Sequence, residues 1–286
     1  MEGYLDTVET VPGRQFEMAV KRLANSLSYG IDRSPFLGSG LEFAQSRPYQ
    51  SGDPVRSIDW RVTARTGRFH VKEYEASKRI DCFLLIDTSA SMTVGVARQC
   101  KYAVAVQLAG GLALACLDRA SPVGVLAVGE RALRIEPSMS TARVFQWLHQ
   151  LRRFRYDERT VLGERVRQLL ASLAHRSLVM VLSDLHDPAA LPALRLLAQQ
   201  HECIVLHLED PAERSLRGSG FLRAREAETG RALVTHGRRR WTSPQVLGQT
   251  LARARVDYLR LEVDQPVVEK LRHFLRSRNV FGRQVR

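Results

Sequence analysis

The sequence has no apolar stretch long enough to cross a bilayer. The longest, Tyr102–Leu117, is interrupted by Gln107 and falls short of the roughly 20 residues a spanning helix needs. It contains Gly110-Gly111, which suits close packing, so it reads as a buried helix. The opening ten residues are acidic and polar rather than cationic and then apolar, which argues against a secretion signal. The expectation is a cytoplasmic protein. Cysteine is also scarce: Cys82, Cys100, Cys116 and Cys203 form no C-x-x-C pair. That excludes a disulfide framework and the usual zinc spacing, and leaves small core residues in a reducing compartment. A P-loop, a G-x-G-x-x-G loop and a G-x-S-x-G elbow are all missing, as are internal repeats and low-complexity segments. The remainder, 44% hydrophobic and 26% charged over 286 residues, is ordinary for a globular chain with one large domain or a domain plus an extension.

Charge is present in excess of one sign. The net +13 is concentrated at the end: residues 211–286 hold 17 Lys+Arg against 7 Asp+Glu, whereas residues 1–78 hold 11 against 10 and residues 79–210 hold 15 against 13. A basic last quarter suits an acidic partner, nucleic acid or an anionic surface, with Arg238, Arg239 and Arg240 as candidate contacts. A solvated arginine-rich face is the plainer account.

Two regions differ in pattern. In residues 1–78, Gly13–Leu27 carries Phe16, Val20, Leu23 and Leu27 at helical spacing. Leu41–Glu75 then alternates well enough for short strands around the turn signals Gly52-Asp53-Pro54 and Thr66-Gly67-Arg68. Its interleaved acids and arginines favour an internally paired network over nucleic-acid stacking. From residue 79 to 286 strands and helices alternate. Cys82–Ile86, Val123–Val128, Ala132–Ile135, Leu178–Leu182, Cys203–Leu208 and Tyr258–Val263 read as strands. Val96–Leu117, Thr141–Phe154, Val161–Leu173, Ala189–Gln200, Gln245–Arg255 and Val267–Arg276 read as helices. A basic hairpin insertion falls near 211–240. Such alternation predicts an α/β fold with a doubly wound, mostly parallel sheet.

The second region is organised around Asp81–Met92. Cys82–Ile86 is an unbroken apolar run, as in a strand buried on both faces, and it ends in Asp87-Thr88-Ser89-Ala90-Ser91. Hard oxygen donors at this spacing could converge on an ion the size of Mg²⁺, at the carboxyl end of a strand where open α/β sheets place ligands. The same residues could simply cap a following helix.

Two family resemblances sharpen this reading. Gly40-Leu41-Glu42-Phe43, Arg47-Pro48-Tyr49, Gly52-Asp53, Arg56, Ile58-Asp59-Trp60 and Ala64-Arg65-Thr66-Gly67 resemble the signature of the bacterial domain-of-unknown-function family fifty-eight. Residues 82–277 resemble a von Willebrand factor A domain, which implies a Rossmann-like sheet with a metal-ion-dependent adhesion site. The resemblance implies a donor set of Asp87, Ser89, Ser91, Thr160 and Asp184, although Arg159 stands where such domains more usually have Gly before the Thr. It further implies Mg²⁺ (with Mn²⁺ as a second candidate), protein–protein recognition through a partner's carboxylate, and a MoxR-type AAA+ ATPase as partner.

Turnover is not expected. Aspartyl-phosphate chemistry needs a second carboxylate two residues after the nucleophile, and that position is Ser89. Asp184-Leu185-His186-Asp187 looks like a metallophosphatase fragment without its other ligands, and His186 reads as a solvent-facing loop residue. The rival function is a basic nucleic-acid or anionic-surface module built on the last quarter.

Overall fold

The computed structural model describes residues 2–4, 13–28, 41–76, 80–95, 97, 99–211, 213, 221–225, 232–236 and 244–280. In chain order the elements are β1 (Glu2–Tyr4), α1 (Gly13–Ser28), β2 (Leu41–Pro48), α2 (Trp60–Thr66), β3 (His70–Ala76), β4 (Cys82–Ile86), α3 (Lys101–Leu117), β5 (Val123–Ala127) and β6 (Arg134–Ser138). There follow α4 (Thr141–Leu151), β7 (Arg153–Arg155), α5 (Leu162–Ser172), β8 (Leu178–Ser183), α6 (Ala190–Gln200) and β9 (Glu202–Glu209). The last are β10 (Phe221–Arg225), β11 (Ala232–His236), α7 (Pro244–Arg253), β12 (Asp257–Glu262) and α8 (Val267–Val280). They fall into two compact units, residues 37–79 and the rest of the chain.

The larger unit is built on a six-stranded sheet of order β12-β9-β8-β4-β5-β6, parallel except for β6. This is the mixed α/β, Rossmann-like architecture that the strand–helix alternation predicts. The central strands are buried on both faces, and their period of two divides the core. Cys82, Leu84 and Ile86 of β4, with Leu178, Met180 and Leu182 of β8, face a layer made by α1, α3, α4 and α8. Phe83 and Leu85, with Val179 and Val181, face α5, α6 and α7. The N-terminal helix α1 belongs to this unit and packs on α3 at the glycine pair. A Cβ on Gly111 would lie 2.6 Å from the Leu23 side chain, and one on Gly110 2.8 Å from Val20.

Several boundaries move for local reasons. The helix expected from Val96 begins at Lys101, because the preceding backbone is engaged elsewhere: Ala97 N donates to Asp210 Oδ2 at 3.2 Å. A Cβ on Gly95 would sit 2.3 Å from the same oxygen. The helix expected to reach Phe154 stops at Leu151, whose carbonyl accepts from the Tyr102 hydroxyl at 2.6 Å. Residues 153–155 then pair with β1. The expected hairpin near 211–240 is represented by the antiparallel pair β10–β11.

The smaller unit pairs β2 with β3 antiparallel, as its alternation suggests, but the segment between them includes the helix α2. The Asp59 carboxylate caps it by accepting from Arg61 N and Val62 N. Gly67 ends it at φ 70°, in the left-handed region that glycine occupies without steric penalty. These two caps outweigh the weak alternation of residues 58–66.

Fully buried Leu84 in β4 and half-exposed Leu196 in α6 provide a paired test of this core. Leu84→Ala is expected to lower unfolding free energy by about 2–5 kcal/mol, and Leu196→Ala by no more than about 0.5 kcal/mol, both read by urea denaturation.

Candidate functional site

β4 is joined onward to β5 on one side, while β8 leads to β9 on the other, so the order of the sheet reverses between β4 and β8. The crevice at their carboxyl ends is where such a sheet leaves room for a ligand. Asp87 stands there at the end of β4, with its N–H tied to Leu182 O of β8 at 2.9 Å. Its carboxylate collects donors from three loops. Oδ1 accepts from Ser89 N at 3.0 Å, Oδ2 accepts from Ser183 Oγ at 2.5 Å, and Thr160 Oγ1 lies 3.5 Å from Oδ2. Ser89 Oγ is 3.1 Å from Ser91 Oγ, and Ser91 lies near enough to Asp184 to favour its ionised form. The five residues singled out in the sequence thus converge. Asp87, Ser89 and Asp184 are buried, while Ser91 and Thr160 are partly open. Arg238, Arg239 and Arg240 lie outside the described residues.

The electrostatics of the site are unequal. Burial, reinforced by the charge of Asp184, pushes the Asp87 carboxyl up to about 7 against the hydrogen bonds of Ser183 and Ser89. Burial also opposes ionisation of Asp184, but Lys101 and His186 outweigh it and hold that carboxyl down at about 2. Lys101 is itself buried, its Nζ 2.8 Å from Asp184 Oδ2 and also bonded to Glu213. Its ammonium is therefore the counter-charge for the second carboxylate. His186 is partly exposed in its loop, as its position suggests, and also reaches the buried carboxylate. Its Nδ1 is 3.3 Å from Asp184 Oδ2, and Asp184, His186 and Glu213 present ligand atoms within 4.8 Å of one another. Because the Lys101 ammonium bonds both carboxylates of that trio, it is an ion-pair cluster rather than a separate metal pocket.

A second set of bonds fixes the loops. Glu158, fully buried, accepts from Thr88 Oγ1 at 2.7 Å, Arg131 N at 3.0 Å and Arg131 Nη2 at 2.8 Å. Its backbone carbonyl accepts from Ala90 N at 2.7 Å. Thr160, two residues on, makes a β-bridge with Gly129. Asp187 joins the remaining loop by accepting from Gly163 N at 2.7 Å and Ala189 N at 2.8 Å. Between Ser183 and Asp187, Leu185 adopts φ 57°, a left-handed conformation uncommon for a bulky residue.

Sequence reasoning passed over Lys101, Ser183 and Glu158. Lys101 had a signal: it is a lone charge at the edge of the apolar Tyr102–Leu117 run, in a first helical turn where the helix dipole disfavours a cation. Ser183 stands beside Asp184 but outside the expected motif. Nothing local marks Glu158.

A family model described as "Protein of unknown function DUF58" matches residues 45–243. The chain belongs to this family. Uncharacterized proteins of Mycobacterium bovis and of Mycobacterium tuberculosis are each 29% identical to it over 224 residues, covering 76% of this chain and 70% of the relative. The DUF58 match takes in all five clustered donors and most of the β2–β3 unit.

Two outcomes follow from the environment of the DUF58 site. The Asp87 carboxyl is raised above its ordinary value of 3.8 to about 7, so its contribution to stability is full below about pH 4 and lost as pH rises through about 7. In EDTA, Asp87→Asn should therefore flatten the fall in melting temperature between about pH 5 and pH 8, and an unchanged slope would contradict the assigned environment. At Gly129 a Cβ would lie 2.2 Å from Glu158 Oε1 and 2.4 Å from Thr88 Oγ1, and the Glu158 carboxylate is too heavily bonded to yield. Gly129→Ala is expected to cost about 1–3 kcal/mol, measured by denaturant melting.

Proposed function

We propose that this DUF58 protein is a metal-dependent protein–protein interaction module, with a von Willebrand factor A-like sheet unit and a metal-ion-dependent adhesion site at Asp87. The observation that supports it is the meeting of Asp87, Ser89, Ser91, Thr160 and Asp184, from three loops, with one buried ammonium paired to Asp184 and Glu213 and none to Asp87. The donor set fits Mg²⁺, or Mn²⁺, because every group is a hard oxygen. The reluctance of Asp87 to ionise is what added positive charge would relieve. Those five residues would hold the ion, and a bound ion supplies a Lewis-acidic position that a partner's Asp or Glu can complete. Ser91 and Thr160, the least buried donors, mark the open side.

The reading involves recognition without turnover, since Ser89 occupies the position where a phosphoryl-transfer enzyme would need a proton-handling carboxylate. A MoxR-type AAA+ ATPase is the partner suggested by the family resemblance alone. Among the described residues no helix is long and apolar enough to cross a membrane. The alternative, a basic module for nucleic acid or an anionic surface, draws on the net charge of +13.

The test is thermal and chemical. Saturating Mg²⁺ at about 100 times its dissociation constant contributes about 2.7 kcal/mol to the folded state, which corresponds to several degrees of melting temperature. Asp87→Ala, folded by circular dichroism, should lose that shift along with Mg²⁺-dependent, EDTA-sensitive partner capture from nuclease-treated lysate. Capture that ignores EDTA and disappears at high salt would support the basic-module alternative instead.

Lys101→Met leaves Asp184 buried without its ammonium, which is expected to cost about 3–5 kcal/mol in EDTA. If the cluster takes a divalent cation, Mg²⁺ should restore more stability to this variant than it adds to the wild type. Equal increments would separate Lys101 from the ion site.

A further inference from the structure

The smaller unit carries an exposed aromatic cluster flanked by arginines that pair with no carboxylate among the described residues. Trp60 is 63% exposed, Phe69 58% and Tyr49 38%, although together they form one assembly. Tyr49 and Trp60 each place their rings 6.5 Å from Phe69, at interplanar angles of 64° and 81°. The cluster is held by the backbone, since Tyr49 N donates to Phe69 O at 2.9 Å. Rings gathered edge-to-face yet left in water constitute an apolar patch that no described neighbour covers.

Residues 41–76 hold five Arg and one Lys against Glu42, Asp53, Asp59, Glu73 and Glu75. Asp53 and Asp59, which lie within the 49–69 stretch that forms the patch, are both occupied within the unit. Asp53 receives a two-pronged bond from Arg47, 2.8 Å on each oxygen, and another from Gln50 N at 2.8 Å. Asp59 receives Ser46 Oγ at 2.7 Å besides capping α2. Arg61 and Arg65, one turn apart on α2, and Arg68 are exposed. None of the three bonds a carboxylate among the described residues.

We propose that this face docks an acidic segment of a partner protein, with Tyr49, Trp60 and Phe69 receiving one apolar side chain and Arg61, Arg65 and Arg68 receiving flanking carboxylates. Trp, Tyr and Arg are the residues that dominate protein interface energetics, whereas Lys is depleted there. The guanidinium fork matches carboxylate geometry. A second copy of the chain, itself at +13, brings the wrong sign. Single-stranded nucleic acid is less suited, because successive bases stack on successive ring faces, and rings at 64° and 81° do not present a row of parallel faces. The proposal does not rest on the metal-site reading.

Panning the full-length protein in EDTA with phage-displayed random twelve-residue peptides tests the proposal, since chelation removes any metal-held carboxylate. Enrichment of peptides that combine Asp or Glu with Trp, Phe or Leu is expected. A synthetic copy of the leading peptide should lose about tenfold or more in affinity to Trp60→Ala and to the pair Arg61→Glu and Arg65→Glu, and nothing to Asp87→Asn. Trp60 is exposed, so its replacement should alter stability little, which melting verifies. No enrichment, enrichment without acidic residues, or affinity indifferent to the Trp60 and arginine variants would overturn it. So would an oligothymidine strand or phosphatidylserine vesicles that bind this face, by the same variants, when no peptide does.

Discussion

Two carboxylates buried side by side with one ammonium between the second and its neighbour form the constraint on which the rest of the molecule turns. Lys101 opens α3, a helix otherwise buried along nearly its whole length. A cation in the first turn opposes the helix dipole, and a buried ammonium is costly unless paired. Asp184 at 2.8 Å accounts for both. That pairing leaves Asp87 as the member of the couple without a cation of its own, and burial, reinforced by the charge of Asp184, raises its carboxyl.

Such a cluster requires loops that do not relax away from one another. Glu158 supplies this by accepting from a strand-end hydroxyl, the Arg131 side chain and the Arg131 backbone at once. Gly129 must lack a side chain for that carboxylate to come so close. On the other side, Asp187 links the loop after β8 to the start of α5. Preorganisation is thus built from buried carboxylates whose acceptor capacity is filled. Breaking one partner leaves the others unsatisfied rather than merely loosened.

The parts of this arrangement that sequence reveals are those written in local pattern. Continuous apolar runs located β4, β8 and β9 within a residue or two, and the expected donor residues do meet. Read as a sheet alone, residues 82–86 and 178–183 already fix where the crevice lies. What local pattern could not reveal is pairing across long separations. Lys101 and Asp184 are 83 residues apart, and Thr88 and Glu158 are 70 apart. The helix α2 was hidden for a different reason. Seven residues give too little periodicity to distinguish from alternation, and only its caps, Asp59 and Gly67, carry the information.

Paired carboxylates also determine what a partner meets. Across both units the carboxylates repeatedly turn inward: Asp53 to Arg47, Asp59 to Ser46 and the start of α2, Glu158 to Arg131, Asp187 to Gly163, Glu209 to Arg260. The bonds to Arg47, Arg131 and Arg260 neutralise a cation along with each acid, whereas Arg61, Arg65 and Arg68 remain exposed. Arg61, Arg65 and Arg68 thus give the smaller unit an exposed basic face. The proposed acidic partner would be favoured twice by this arrangement. Exposed arginines raise its encounter rate through long-range attraction, which salt weakens. A proposed ion at Asp87 would add a short-range demand for one carboxylate, which chelation removes and salt affects little. Attraction and selection would then reside in different groups, so their separate responses to salt and to EDTA reflect the physical arrangement of charge rather than two competing functions.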